Sequence, residues 1–372
     1  MFKSRIMIRK VVILISLLFL IFLSCSGDSD SISSDNSNSV WEQKSQMLTN
    51  WSDNFIIPNY QNLSNSLDQL QLSINSFVTN PNQSTLDIVR GEWLESYKLW
   101  QHVEMFNIGP AEQTFYHLKM NVFPTSVTNI ESIILSEDFS NLNNAPFYSA
   151  QGFPALDYLL YGVAEDDNLI LSIYSTNQKY SNYLVEVIGR MISNTDYVLN
   201  EWANFRSGFI SSVENTATSS ANKMTNDFIY YYEKGFRANK FGIPVGVFSG
   251  GNVFPEKVEA YYNKNVSQIL ALEALDAIKL FFNGNGSYSL SQYIDNFATD
   301  DMENLSNDIN SQFELSKNSI QSLDSNFVNQ LNSNSLQMGI TYDVIQAGTV
   351  LLKTDMLSVL QIATDYVDAD GD

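Results

Sequence analysis

The segment Thr85–Glu104, TLDIVRGEWLESYKLWQHVE, decides the fold class. Leu86, Trp93, Tyr97, Trp100 and Glu104 follow one another at steps of seven, four, three and four, which places all five on one face of a helix. The period predicts a helix over Ser84 to Phe106, with Ser84 or Thr85 as its N-cap. A stripe this aromatic belongs to a core, and it ends on a carboxylate. An ionised carboxylate at the edge of a buried surface costs several kcal/mol unless a cation, a metal or a hydrogen-bond donor meets it. Glu104 is therefore the first candidate site residue; an ion pair with Arg90 or Arg237, or exposure beside Gly109, is the plainer account.

The same helical period extends outward with little strand-like alternation. Val40 to Asn80 reads as one or two helices around Pro58, Pro154 to Tyr161 as a short helix, and Ser172 to about Val213 as one long or broken helix. The second half reads as Ala221 to Lys240, Pro255 to Phe282, Asp301 to Asn332 and Met338 to Tyr366. Gly109 to Gln151 is irregular, with a short helix near Val127 to Leu135, and a loop of that length is usually functional. The reading is an all-α chain of two tandem helical bundles, residues 40–215 and 216–372.

Upstream, Lys3, Arg5, Arg9 and Lys10 precede an apolar run from Val11 to Leu23, and Leu23-Ser24-Cys25 closes it. The run has thirteen residues, short for a helix crossing a hydrocarbon core of about 30 Å. Residues 1–24 read as a lipoprotein signal peptide, Cys25 as the lipidated residue and 25–39 as a disordered tether of Ser, Asp, Asn and Gly. The expected address is an outer-membrane lipoprotein, periplasmic or surface-exposed, held to the membrane by its anchor. Without the four leader cations, 16 basic residues face 41 acidic ones. Such a body disfavours nucleic acid and anionic lipid as partners and favours cations. Cys25 is the sole cysteine, so a disulfide framework, a thiolate metal site and a cysteine nucleophile are all excluded.

Two further carboxylates sit among apolar residues. Asp157, in Gly152-Phe153-Pro154-Ala155-Leu156-Asp157, lies one turn inside a helix opened by Pro154, where capping alone is a sufficient account. Asp355 shares a face with Gly348, Leu351, Val359 and Ile362, and the neighbouring Lys353 points to another side. The two histidines, His102 and His117, form no His-Glu-x-x-His pattern, so a nitrogen-rich zinc site of the peptidase kind is not expected. VFSGGN from Val247 to Asn252 lacks the ending of a phosphate-binding loop and reads as a turn. Asp368-Ala-Asp370-Gly-Asp372 reads as a solvated acidic tail.

Several separated motifs resemble the imelysin-like proteins. They are Trp93-Leu94 with Glu104 and then Phe106–Pro110, GFPALDYLLYG from Gly152 to Gly162, KFGIPVGVFSGGNVFPEKVEAYY from Lys240 to Tyr262, and Lys353–Met356 followed by TDYVDADGD. The resemblance implies an all-helical fold of two bundle domains, an outer-membrane or periplasmic location, a site between the domains and association with iron uptake; the family was first labelled a metallopeptidase. The family's Gly-x-His-x-x-Glu block departs here, with Pro154 at the histidine position and Asp157 at the glutamate position, and Tyr97 stands where an arginine is common. The functional expectation is a binding protein for metal acquisition, with Glu104, Asp157 and Asp355 as oxygen ligands for iron or another divalent cation, free or within an iron-containing ligand. An uptake-system protein is an expected partner. A metallopeptidase and a partner-binding surface module are the alternatives.

Overall fold

The computed structural model describes residues 34–299 and 302–366. The leader, Cys25 and the Asp368–Asp372 tail lie outside the described residues. Residues Met1–Glu42 and Gln43–Asp372 form separate units, and the second contains all the helices that follow α1.

Every regular element among the described residues is helical. Helix α1 spans Ser34–Asn50 and passes through a wide π-helical turn, Trp51–Ile56, into α2, Ile57–Thr79. Pro58 falls in the first turn of α2, where its missing N–H costs nothing. The helix starts at Ser34, inside the stretch expected to be an unstructured tether. Adding polar residues to an already nucleated helix costs little per residue.

Helix α3, Gln83–Gln101, is capped by Asn82 rather than by Ser84 or Thr85, and it ends about one turn before Phe106. Asn82 Oδ1 accepts from the Thr85 amide at 3.2 Å, and Thr85 Oγ1 accepts from the Asn82 amide at 3.2 Å. After Gln101 the chain turns, so Glu104 stands beyond the helix end. Leu86, Trp93, Tyr97 and Trp100 are all buried. Helix α4 is Val127–Ser136, close to its expected place, and α5 is Gly152–Asp157, continued by a π turn to Gly162. Helix α6, Gln178–Ser211, is separated from Asp167–Thr176 by Asn177, whose side chain caps the longer helix.

Helix α7, Ser220–Tyr230, runs into a twelve-residue π-helical segment, Tyr231–Gly242. The helix expected from Pro255 begins only at Ser267: α8 is Ser267–Asn283, and Val258 to Val266 is irregular. Helices α9, Leu305–Gln321, and α10, Phe327–Val350, complete the body, followed by a π turn at Leu351–Met356.

Helix α2 packs between α3 and α6, while α10 packs on α9 and on the π segment. The two halves share a core, since α8 also lies against α3. Phe281 of α8 stacks on Trp51 at 4.9 Å and meets Phe106 and Phe228 at 5.6 and 5.4 Å, joining rings from both halves. No helix among the described residues is long and apolar enough to cross a membrane.

Candidate functional site

The site forms where the end of α3 meets the π segment and the irregular stretch before α8. Gln101 closes α3, Glu104 follows in the turn, and Asn121 ends the short helix Tyr116–Met120. Tyr231 and Lys240 come from the π segment and Glu259 from the irregular stretch. Nine residues apart, Tyr231 and Lys240 would face opposite ways in an α-helix of about 3.6 residues per turn. The wider winding brings both onto the same network. Gly235 permits it, since a Cβ there would stand 2.6 Å from the Tyr231 ring.

A chain of hydrogen bonds runs through these residues. The Tyr97 hydroxyl donates to Asn121 Oδ1 at 2.6 Å, and Asn121 Nδ2 donates to Glu104 Oε1 at 2.9 Å and to Glu259 Oε1 at 3.1 Å. Lys240 Nζ donates to Gln101 Oε1 at 2.8 Å and forms an ion pair with Glu259 Oε2. The Tyr231 hydroxyl donates to Glu104 Oε2 at 3.3 Å. Neither Arg90 nor Arg237 is the partner of Glu104. Arg90 holds Asp167 at 2.7 Å, and Arg237 is buried beside Glu233.

Glu104 lines a cavity of about 280 Å³ together with Tyr231, Asp227, His117, Lys234 and Phe123. Burial pushes its carboxyl up to about 7; repulsion from Glu259 adds to this, while Lys240 and the Asn121 amide pull the other way. Burial pushes Asp227 to about 8, helped by Asp365 and Glu112. Burial lowers the His117 imidazole, whose Nδ1 lies 2.9 Å from Asn107 Oδ1. A second cavity of about 470 Å³ shares Asn107, His117, Asp227 and Tyr230 with the first. His102 stands apart, 2.8 Å from Glu273. Near neutral pH, the Glu104 carboxyl can therefore either donate or accept a hydrogen bond.

The three carboxylates named from sequence occupy three different surroundings. Glu104 is on the cavity wall. Asp157 is buried with both oxygens on backbone amides, those of Tyr262 at 2.8 Å and Asn263 at 2.9 Å. Asp355 lies in the Leu351–Met356 turn and is not among the cavity's lining residues. Among the described residues no three His, Cys, Asp or Glu side chains are grouped to hold a metal ion. A full protein ligand shell for a bare cation does not fit this donor set, because Lys240 already occupies Glu259. Sequence reading misses Glu259, Lys240, Gln101 and Asn121. Only Lys240, a cation inside the apolar KFGIPVG motif, gives a local signal.

The sequence profile of the Imelysin family matches residues 56–353. The chain belongs to the imelysin family. Solved structures share its fold, two among them at TM-scores of about 0.7. One is from Parabacteroides distasonis, described as a putative iron-regulated protein A precursor. It has a TM-score of 0.69 at 17% identity, with 86% of this chain and 95% of that one covered. The other is an imelysin-like protein from Psychrobacter arcticum, with a TM-score of 0.70 at 16% identity, covering 88% of this chain and 98% of that one. No curated protein matches the chain. Membership of the imelysin family agrees with the motifs read from sequence and with the all-helical architecture.

Proposed function

We propose that this imelysin-family chain is a binding protein in metal acquisition, iron being the metal, and that its cargo enters the Glu104 cavity as a small-molecule complex rather than as a bare ion. The observation that carries this reading is the cavity itself. Its volume of about 280 Å³ exceeds the space of an ion held at 2.0–2.6 Å by oxygen ligands and approaches that of a small-ligand pocket. Its wall is largely apolar, with Met105, Leu118, Val122 and Ile243, and a few polar groups converge on it. Glu104 and Asp227 supply carboxyls that titrate near neutrality, and Lys234 and Lys257 supply cations. That mixture suits a chelate carrying both donors and acceptors. The iron-regulated description of the Parabacteroides distasonis protein supports the choice of metal.

The address belongs to the same reading: lipidation at Cys25 would place the body at the outer membrane, facing the periplasm or the outside, within reach of an uptake-system partner. The test is calorimetric titration of the full chain with ferric citrate and, separately, with ferrous and zinc salts. Saturable binding of the chelate that Glu104→Gln weakens at least tenfold is expected. Saturable binding of the simple salts alone, or chelate binding indifferent to Glu104→Gln, would overturn it.

A further inference from the structure

The block Gly152–Gly162, GFPALDYLLYG, does not line the Glu104 cavity, yet it grips the segment that carries Glu259. Asp157, 1% exposed, accepts the Tyr262 amide on Oδ2 and the Asn263 amide on Oδ1. The Tyr158 ring meets the Tyr262 ring edge to face at 5.1 Å. At Gly162 a Cβ would lie 2.2 Å from Tyr262 Cδ1, so only glycine admits that ring. Three positions of one block thus converge on Tyr262 and its neighbour.

Glu259 is three residues upstream, a span of at most about 10 Å of extended chain. Between them Ala260 holds φ at 56°, a left-handed conformation that a side-chain-bearing residue keeps only when its surroundings impose it. The Lys264 amide closes the turn onto the Ala260 carbonyl at 3.1 Å, and Ser267 Oγ donates to the Glu259 carbonyl at 3.2 Å. The backbone leaves Glu259 little freedom once Tyr262 and Asn263 are fixed.

We propose that Asp157 is a positioning residue: by holding the backbone at Tyr262 and Asn263 it sets where Glu259 meets Lys240 and Asn121. The proposal builds on the reading of the Glu104 cavity as a binding site, but its test needs no ligand. Glu104 faces Lys240, Glu259, Tyr97 and Tyr231 within the network, and His117, Asp227, Lys234 and Lys257 across the cavity. Asp157 faces Tyr97, Tyr161 and Tyr262, with Glu256 across a smaller cavity. When the grip is lost, Glu259 withdraws from Lys240 and from the Asn121 amide.

The experiment follows the Asn121 side-chain amide by nitrogen NMR of the full chain, its signals assigned by their loss in Asn121→Asp. Asp157→Asn is expected to shift those signals, and to add almost nothing in a Glu259→Gln background. Unchanged Asn121 amide signals in folded Asp157→Asn, or an equal shift with and without the Glu259 carboxylate, overturn the proposal. If Asp157→Asn does not fold, amide exchange in the unsubstituted chain decides: protection of the Tyr262 and Asn263 amides supports the clasp, and exchange at the unprotected rate overturns it.

Discussion

Lys240 and Glu259 form an ion pair with 2% and 4% of their side chains exposed, the cation offered by a π-helical segment and the anion by an irregular one nineteen residues later. Removing one member leaves the other charged and dry. Lys240→Met should cost about 3–5 kcal/mol, whereas Lys240→Met with Glu259→Leu should recover most of that loss, because a buried pair exchanged for apolar groups of similar volume is nearly neutral. Urea unfolding of both variants checks this. A single substitution costing under about 1 kcal/mol would show that the pair is solvated.

Glu104 gives the site a pH dependence. Its carboxyl is raised from an ordinary 4.5 to about 7 in the folded chain. The native state therefore holds a proton that the unfolded state has released across that interval. The stabilisation is complete below about pH 4.5 and is lost as pH rises through 7. Relative to Glu104→Gln, the unsubstituted chain should lose on the order of 2 kcal/mol of stability between about pH 5 and pH 8, the limiting slope being about 1.4 kcal/mol per pH unit. Unfolding midpoints of the two chains at each pH measure the difference. Parallel profiles would place Glu104 in a solvated setting.

Phe153 lies flat on Tyr97, with centroids 4.5 Å apart and planes 4° from parallel, and Trp93 Nε1 donates to its carbonyl at 3.2 Å. Phe153→Ala should cost about 3–5 kcal/mol, the cost of emptying a buried aromatic site. It should also loosen Tyr97 from Asn121, so Asn121 side-chain NMR signals should broaden or shift. A cost near 1 kcal/mol with unchanged Asn121 signals would mean that the stack does not hold the network.

The helices are legible in the sequence because an apolar stripe at helical spacing is a local property. Spacing alone assigns Leu86, Trp93, Tyr97 and Trp100 to a core, and Glu104 stands out as a charge at the stripe's edge. Its surroundings are not legible. Glu259 lies in a stretch that helical spacing absorbs into a helix from Pro255, whereas the folded chain there is clasped onto Asp157 and passes through left-handed residues at Ala260 and Lys264. Asp157 is visible as a buried acid, but its partners are amides more than a hundred residues away, which no spacing rule can find. Counting along an α-helix places Asp355 on an apolar face, and the π turn Leu351–Met356 changes that register. Its neighbour Lys353 turns instead to Glu233, at 3.3 Å.

Entry of an iron-bearing small molecule into the Glu104 cavity is decided by iron anomalous diffraction from crystals of the full chain equilibrated with ferric citrate. An anomalous peak is expected inside the cavity bounded by Glu104, Tyr231 and Asp227, lost in Glu104→Gln. An empty cavity with iron at another place on the chain, or a peak that survives Glu104→Gln unchanged, would rule that binding mode out.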